Sequence, residues 1–140
     1  MTNTPRNFFV AAAFFALCGM VWGIQMSATH DHLLAPAHGH LNLIGFVMMA
    51  IFGTYYALTP EAGRSRTARL HFLLNTAAVL VLVPGIALAI SDRTEVPAQI
   101  GSVLAVLSMV LFGFVVLRYG VGQPSNNNVS NSSMSSQPAE

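Results

Sequence analysis

The chain has 140 residues, of which 54% are hydrophobic and only 8% are charged. A soluble domain carries roughly a quarter charged residues, so this composition excludes an ordinary soluble domain and indicates an integral membrane protein in contact with the lipid bilayer. Six arginines and no lysines nearly balance five acidic residues. Because there is no excess of positive charge, a nucleic acid partner is not expected.

Four apolar segments without charged residues each have about the 20 residues that a helix needs to cross a bilayer. They comprise residues 7–26, 36–58, 70–90 and 96–117. Backbone polar groups in lipid must be paired within the segment, and the connections are short. We therefore predict an all-α integral membrane four-helix up-and-down bundle over residues 1–119. Thr4 followed by Pro5 is expected to cap the first helix. The Asn- and Ser-rich residues 120–140 are predicted to be a disordered tail.

The arginines predict the orientation of the bundle. All but Arg93 lie on one side of the four-span arrangement, so by the positive-inside rule both termini are predicted to be cytoplasmic, in a bacterial inner membrane. A cleaved signal peptide is the alternative for the first segment, because Arg6 precedes an apolar stretch that ends near residues 27–28. That stretch is longer than the core of a usual signal peptide, so we expect a retained helix.

Four of the five histidines lie in the outward loop and at the start of the second segment: His30, His32, His38 and His40. At 100° per residue His38 and His40 point about 200° apart on a helix, so only one of them can face the bundle core. The His40 face is plain aliphatic. The His38 face continues through Asn42, Gly45, Met49, Phe52 and Tyr56. We therefore predict that His38 points inward, with Asn42 one turn below it.

Other residues predict how the helices meet. Gly19 and Gly23 form a GxxxG motif, which permits close approach of a neighbouring helix. Asn75 is the one strongly polar residue in the middle of the third segment, and we expect it to form an interhelical hydrogen bond. His71, close to Arg69, is expected to lie at the membrane interface.

Residues 37–61 resemble the second transmembrane helix of the catalytic subunit of nitric oxide reductases, within the haem-copper oxidase superfamily. The resemblance rests on Ala37-His38, the Leu/Asn-rich turn that follows, Gly53, Tyr55-Tyr56 and Pro60-Glu61. The sequence is also similar to short bacterial membrane proteins described as cytochrome oxidase subunit I-like. The resemblance implies that His38 is an axial ligand of haem b. We place His40 and Asn42 as close support of this haem-binding site. The expected role is electron transfer or association with a respiratory oxidase, with a respiratory complex or an electron donor as the partner.

The large enzymes of that superfamily need further histidines on later helices, and this chain offers only His71 there. One copy therefore does not encode a complete catalytic centre, and any enzymatic activity is oxidoreductase-related at most. A haem iron accepts His or Met as its second axial ligand. The candidates are Met26, His30, His32, His40 and His38 of a second copy. Because homodimers are the commonest oligomers, we expect a homo-oligomer.

Two other functions remain open. The pairs His30-x-His32 and His38-x-His40 are candidate ligands of an outer-face copper site, since imidazole suits copper. Alternatively, the protein is a cofactor-free interaction subunit of a respiratory complex that docks through its glycine faces. No Ser-His-Asp order, phosphate-binding loop or spaced carboxylate pair occurs within the four segments, so no hydrolytic or phosphoryl-transfer activity is indicated.

Overall fold

The structure is a computed structural model that describes residues 3–122. These residues form four long helices, α1 Thr4–Thr29, α2 Ala35–Leu58, α3 Arg66–Ile90 and α4 Val96–Tyr119. Each is long and apolar enough to cross a membrane. A one-turn helix, Pro60–Gly63, lies between α2 and α3. The prediction of an all-α, multi-pass membrane bundle is therefore confirmed. The predicted disordered tail lies, from residue 123 onward, outside the described residues.

The helices run up and down. Near the end of α2, the Tyr55 hydroxyl donates a hydrogen bond to the Gly120 carbonyl just beyond α4, at 2.7 Å. A Cβ atom on Gly63 would lie 3.6 Å from Pro5, so the start of α1 is at this same end. We call this end the arginine side, because it carries Arg6, Arg64, Arg66, Arg69 and Arg118. The opposite end, with the loop between α1 and α2, is the histidine side.

Small residues set the closest helix contacts. Helix α1 packs mainly on α2, and α3 packs mainly on α4. A Cβ atom on Gly19 would lie 2.9 Å from both Cγ and Nδ2 of Asn42, and one on Gly101 would lie 2.6 Å from the backbone nitrogen of Leu82. Both distances are far below van der Waals contact. The close approach predicted for the GxxxG motif is therefore confirmed between α1 and α2.

The start of α1 differs from the expectation. Asn3 caps the helix, because its Oδ1 accepts a hydrogen bond from the backbone N–H of Arg6 at 3.3 Å. Thr4 lies inside the first turn, and its buried hydroxyl has no hydrogen-bond partner among the described residues. The prediction that Thr4 is the cap was wrong, because asparagine is at least as good a cap and stands one residue earlier.

Helix α2 is not a uniform α-helix. Leu41–Met48 form a π-helix between the α-helical parts Ala35–His40 and Met49–Leu58. In an α-helix the His38 carbonyl would accept the backbone N–H of residue 42. The same carbonyl accepts the Asn42 side-chain amide at 3.0 Å. A bond of this kind, from a side chain to the carbonyl one turn earlier, often accompanies a local change in helix geometry.

Candidate functional site

His38 lies where α2 meets α1. The side chain is half-buried, and its Nε2 is 2.9 Å from the Gly19 carbonyl oxygen on α1. The imidazole also meets the Trp22 ring edge to face, with centroids 6.0 Å apart. Asn42 places its Nδ2 3.0 Å from the same Nε2. The predicted inward orientation of His38, with Asn42 beside it, is confirmed.

The rest of the two predicted faces agrees with this orientation. Four residues that continue the His38 face are buried: Gly45, Met49, Phe52 and Tyr56. On the aliphatic face that continues from His40, Leu43, Val47 and Ile51 are exposed, whereas Ile44 is half-buried against the core. The π-helix thus leaves the side of α2 that faces the bundle unchanged.

The two neighbours of His38 Nε2 require opposite hydrogen-bonding roles of this nitrogen. The Gly19 carbonyl can only accept a hydrogen bond, and the Asn42 Nδ2 group can only donate one. The Asn42 amide has a second acceptor in the His38 carbonyl at 3.0 Å. Because the amide has two N–H groups, Nε2 donates to the Gly19 carbonyl in one tautomer and accepts from Asn42 in the other, and both contacts join His38 to its neighbours.

This arrangement does not fit a haem on His38 Nε2. Iron binds a ring nitrogen through its lone pair, and beside His38 Nε2 the Gly19 carbonyl at 2.9 Å and the Asn42 amide at 3.0 Å already occupy the position that iron would take. A Cβ atom on Gly23 would lie 3.3 Å from the same nitrogen, so the α1 backbone occupies the space next to it. The imidazole of His38, in the orientation described, connects two helices and leaves no room for a porphyrin there.

The remaining outer histidines do not gather around His38. His30 ends α1 in a left-handed conformation with φ of 56°, and both His30 and His32 are exposed. His40 is exposed, and its Nδ1 lies 2.8 Å from the Pro36 carbonyl oxygen. Within residues 3–122, no three His, Cys, Asp or Glu side chains come together as a metal site. The structure therefore does not bring the two HxH pairs together.

A second polar cluster, which the sequence did not single out as a site, lies inside the arginine half. His71 on α3 is fully buried, and its Nδ1 is hydrogen-bonded to the Tyr56 hydroxyl on α2 at 3.0 Å. His71 Nε2 has no partner among the described residues. Aromatic rings surround the imidazole, with centroids 4.5–5.8 Å away: Phe8, Phe52, Tyr56 and Phe112. The expectation that His71 is interfacial was wrong, because its face of α3 turns into the bundle.

Asn75, one turn along α3 from His71, belongs to the same cluster. Its Oδ1 accepts a hydrogen bond from the Ser108 hydroxyl on α4 at 3.0 Å, which confirms the predicted interhelical bond. Its Nδ2 is buried without a partner among the described residues, and the whole side chain is 2% exposed. Asn75 is thus a donor with an unused N–H group in the membrane interior.

Asn75 also lines an apolar groove between α2 and α4 with a cavity volume of about 310 Å³. We call it the α2–α4 groove. The other lining residues are Leu43, Ile44, Met48 and Phe52 of α2, and Ala105, Val106 and Met109 of α4. Asn75 is the only polar side chain in this lining. The sequence signal for the cluster was the spacing of four residues between His71 and Asn75, which puts both on one helix face.

Comparison with known proteins gives no match to a family model, to a curated protein or to a solved structure. The class that the fold defines is a multi-pass helical membrane protein. Its function is therefore argued from the geometry above.

Proposed function

We propose that this protein, in a bacterial inner membrane, binds a lipophilic molecule that carries a carbonyl oxygen, of the isoprenoid quinone class, in the α2–α4 groove. The observation that carries the proposal is the unpartnered Nδ2 of Asn75 in the lining of that groove. A groove of about 310 Å³ is within the range of small-molecule sites, which are mostly apolar with a few placed polar groups.

The donor needs an acceptor from outside the chain. An unpaired N–H group in hydrocarbon costs several kcal/mol, because no water is present to replace the missing partner. The oxygen of the Asn75 amide is already used by Ser108, so the amide is fixed in orientation and only its N–H groups are available. Nδ2 itself is buried, so a ligand carbonyl in the groove reaches this donor when a lining side chain moves aside.

The depth of Asn75 favours a quinone over a phospholipid carbonyl. Asn75 is nine residues from the start of α3 at Arg66, so it lies about 14 Å along a helix of roughly 38 Å. It is therefore about 5 Å from the middle of the helix. Phospholipid ester groups lie at the edge of the hydrocarbon core, about 15 Å from its middle. A quinone ring can enter the core, and Phe52 and the flexible Met48 and Met109 give it adaptable apolar contacts.

The other functions expected from the sequence stay predictions. One of these is the cofactor-free interaction subunit of a respiratory complex. This function is compatible with the proposal, because such a subunit can contain the quinone site. The haem b and copper roles of His38, and the homo-oligomer, have no support from the contacts described above. An absorption spectrum of protein purified from haem-replete cells tests the haem role, since a Soret band that disappears in His38→Ala is its signature.

Quinone binding is tested by thermal unfolding in neutral detergent, followed by circular dichroism, with decylubiquinone as the probe. A ligand at 100 times its dissociation constant stabilises a protein by about 2.7 kcal/mol, so the melting temperature should rise with probe concentration. Decylbenzene, which has a similar tail and no carbonyl, should give a much smaller rise. In Asn75→Leu the affinity for decylubiquinone should fall about tenfold, the equivalent of one hydrogen bond of about 1.4 kcal/mol.

Two further variants make the test specific. Thr76→Val is the matched control, because Thr76 neighbours Asn75 on α3, bonds its own helix at the Phe72 carbonyl and does not line the groove. Ala105→Phe fills the groove and should abolish binding while Asn75 is intact. The proposal is wrong if decylbenzene binds as tightly as decylubiquinone, or if Asn75→Leu and Thr76→Val bind the quinone equally well.

A further inference from the structure

A second groove, between α1 and α3, begins among polar residues on the arginine side. The small cavity at its end has a volume of about 160 Å³ and is lined by Thr4, Asn7, Arg69, Phe72 and Leu73. We call it the headgroup cavity. Side chains of Arg69, Asn7 and Thr4 contribute to its lining, and most of the lining surface is apolar.

The headgroup cavity lies beside a long apolar groove of about 660 Å³, which we call the α1–α3 groove. Asn7 and Phe72 line both spaces, so the two are adjacent. From Asn7 to Phe15 on α1 the groove extends eight residues, or about 12 Å along the helix axis. Half of the hydrocarbon core is about 15 Å thick, so the groove has the depth of one leaflet.

We propose that the headgroup cavity and the α1–α3 groove together bind one anionic phospholipid of the leaflet on the arginine side. The phosphate contacts Arg69 and Asn7, and one acyl chain lies along the apolar part. This site is separate from the α2–α4 groove and does not depend on the quinone proposal.

Three observations about the polar end favour a phosphate. Arg69 lines the headgroup cavity, and a second arginine, Arg6, lines the mouth of the α1–α3 groove. The lining of the two spaces includes no aspartate or glutamate, so neither arginine is neutralised by a carboxylate there. Asn7 lines both spaces and adds an amide side chain at the same end. A phosphate oxygen accepts from guanidinium, amide and hydroxyl donors alike.

The apolar end favours a lipid over free phosphate. Beyond Asn7 the α1–α3 groove is lined by Val10, Ala11, Phe14 and Phe15 of α1 and by Leu80 of α3 among others. Val10, Phe14 and Leu80 are exposed at the surface that faces the bilayer. An acyl chain that continues from a bound phosphate covers this surface, whereas an inorganic ion leaves it as it is.

The proposal is tested with the full chain purified in neutral detergent and titrated with dioleoyl phosphatidylglycerol, with the first bound lipid counted by native mass spectrometry. Phosphatidylglycerol should bind about tenfold more tightly than dioleoyl phosphatidylcholine, because its net negative charge is not offset by a choline. Arg69→Gln should remove most of this preference. Arg66→Gln is the matched control, since Arg66 is exposed on the same helix and lines neither space, and it should change the affinity less than twofold.

A second variant tests the acyl chain. Ala11→Phe fills the α1–α3 groove beside intact arginines and should lower the affinity for both lipids at least fivefold, with helicity at 222 nm unchanged. The proposal is overturned if Arg66→Gln and Arg69→Gln lose affinity equally, if Ala11→Phe binds both lipids like the wild type, or if millimolar inorganic phosphate displaces the lipid. The last result would identify a site for the free ion.

Discussion

Replacing Gly19 by alanine tests the contact between α1 and α2 most directly. The added Cβ atom would overlap the Asn42 amide, lying 2.9 Å from its Cγ, and the overlap would push Asn42 and His38 away from α1. Overpacking of this kind costs about 1–3 kcal/mol. Losing the bond from His38 Nε2 to the Gly19 carbonyl costs about 0.6 kcal/mol more, the average for interhelical hydrogen bonds in a membrane. Gly19→Ala should therefore lower the free energy of unfolding by about 2–4 kcal/mol relative to a control Gly→Ala change.

Gly113→Ala is that control, because a Cβ atom on Gly113 of α4 would meet nothing within 4 Å. Both variants gain the same helix propensity, so their difference isolates the overlap. The assay is unfolding in mixed micelles by increasing sodium dodecyl sulfate, followed by circular dichroism. Adding Asn42→Ala to Gly19→Ala should recover part of the loss, since the overlapping amide is then absent. Equal stability of the two glycine variants, or additive effects in the double variant, would refute the proposed contact.

Two predictions concern the buried cluster in the arginine half and use the same assay. Tyr56→Phe should destabilise by about 1–3 kcal/mol, because it leaves the buried Nδ1 of His71 without its 3.0 Å partner. An unchanged unfolding midpoint would mean that this hydrogen bond contributes nothing. Ser108→Ala should lower the free energy of unfolding by about 1 kcal/mol, since Asn75 Oδ1 then has no hydrogen-bond donor. Ser102→Ala is the control and should leave the free energy of unfolding nearly unchanged, because Ser102 is exposed on the same helix and bonds the backbone of that helix. An equal loss of stability in both serine variants would contradict the interhelical bond.

The four spans could be predicted because crossing a bilayer requires about 20 apolar residues, and that requirement is local in the sequence. The face of α2 that carries His38 could also be predicted, because a single helical period relates its members. The hydrogen bond from His38 to Gly19 could not, since the two residues are 19 positions apart and on different helices. The π-helix Leu41–Met48 was not predicted, because the apolar periodicity of the segment is the same in an α-helix and does not mark the change in hydrogen bonding.

His71 shows a different limit of prediction from the sequence. Its closeness to Arg69 and to the end of a span suggested an interfacial position, because a charged neighbour usually lies in water. Arg69 and His71 are two residues apart, so on a helix they point about 200° from each other and need not share an environment. The same spacing rule places His71 with Asn75, four residues on, and both are buried. Periodicity was therefore the better guide than proximity in sequence.

The two ends of the bundle use their polar side chains in different ways. On the histidine side, His38 and Asn42 are paired with α1 and with each other, so they stabilise the helix contact. In the arginine half, buried polar atoms without a partner remain at Thr4, His71 and Asn75, and two of these residues line grooves that open to the bilayer. A folded protein rarely keeps such atoms unless something else pairs with them. Ligands from the membrane are the available partners at that depth, so the function is expected in the arginine half even though most of the histidines are at the other end.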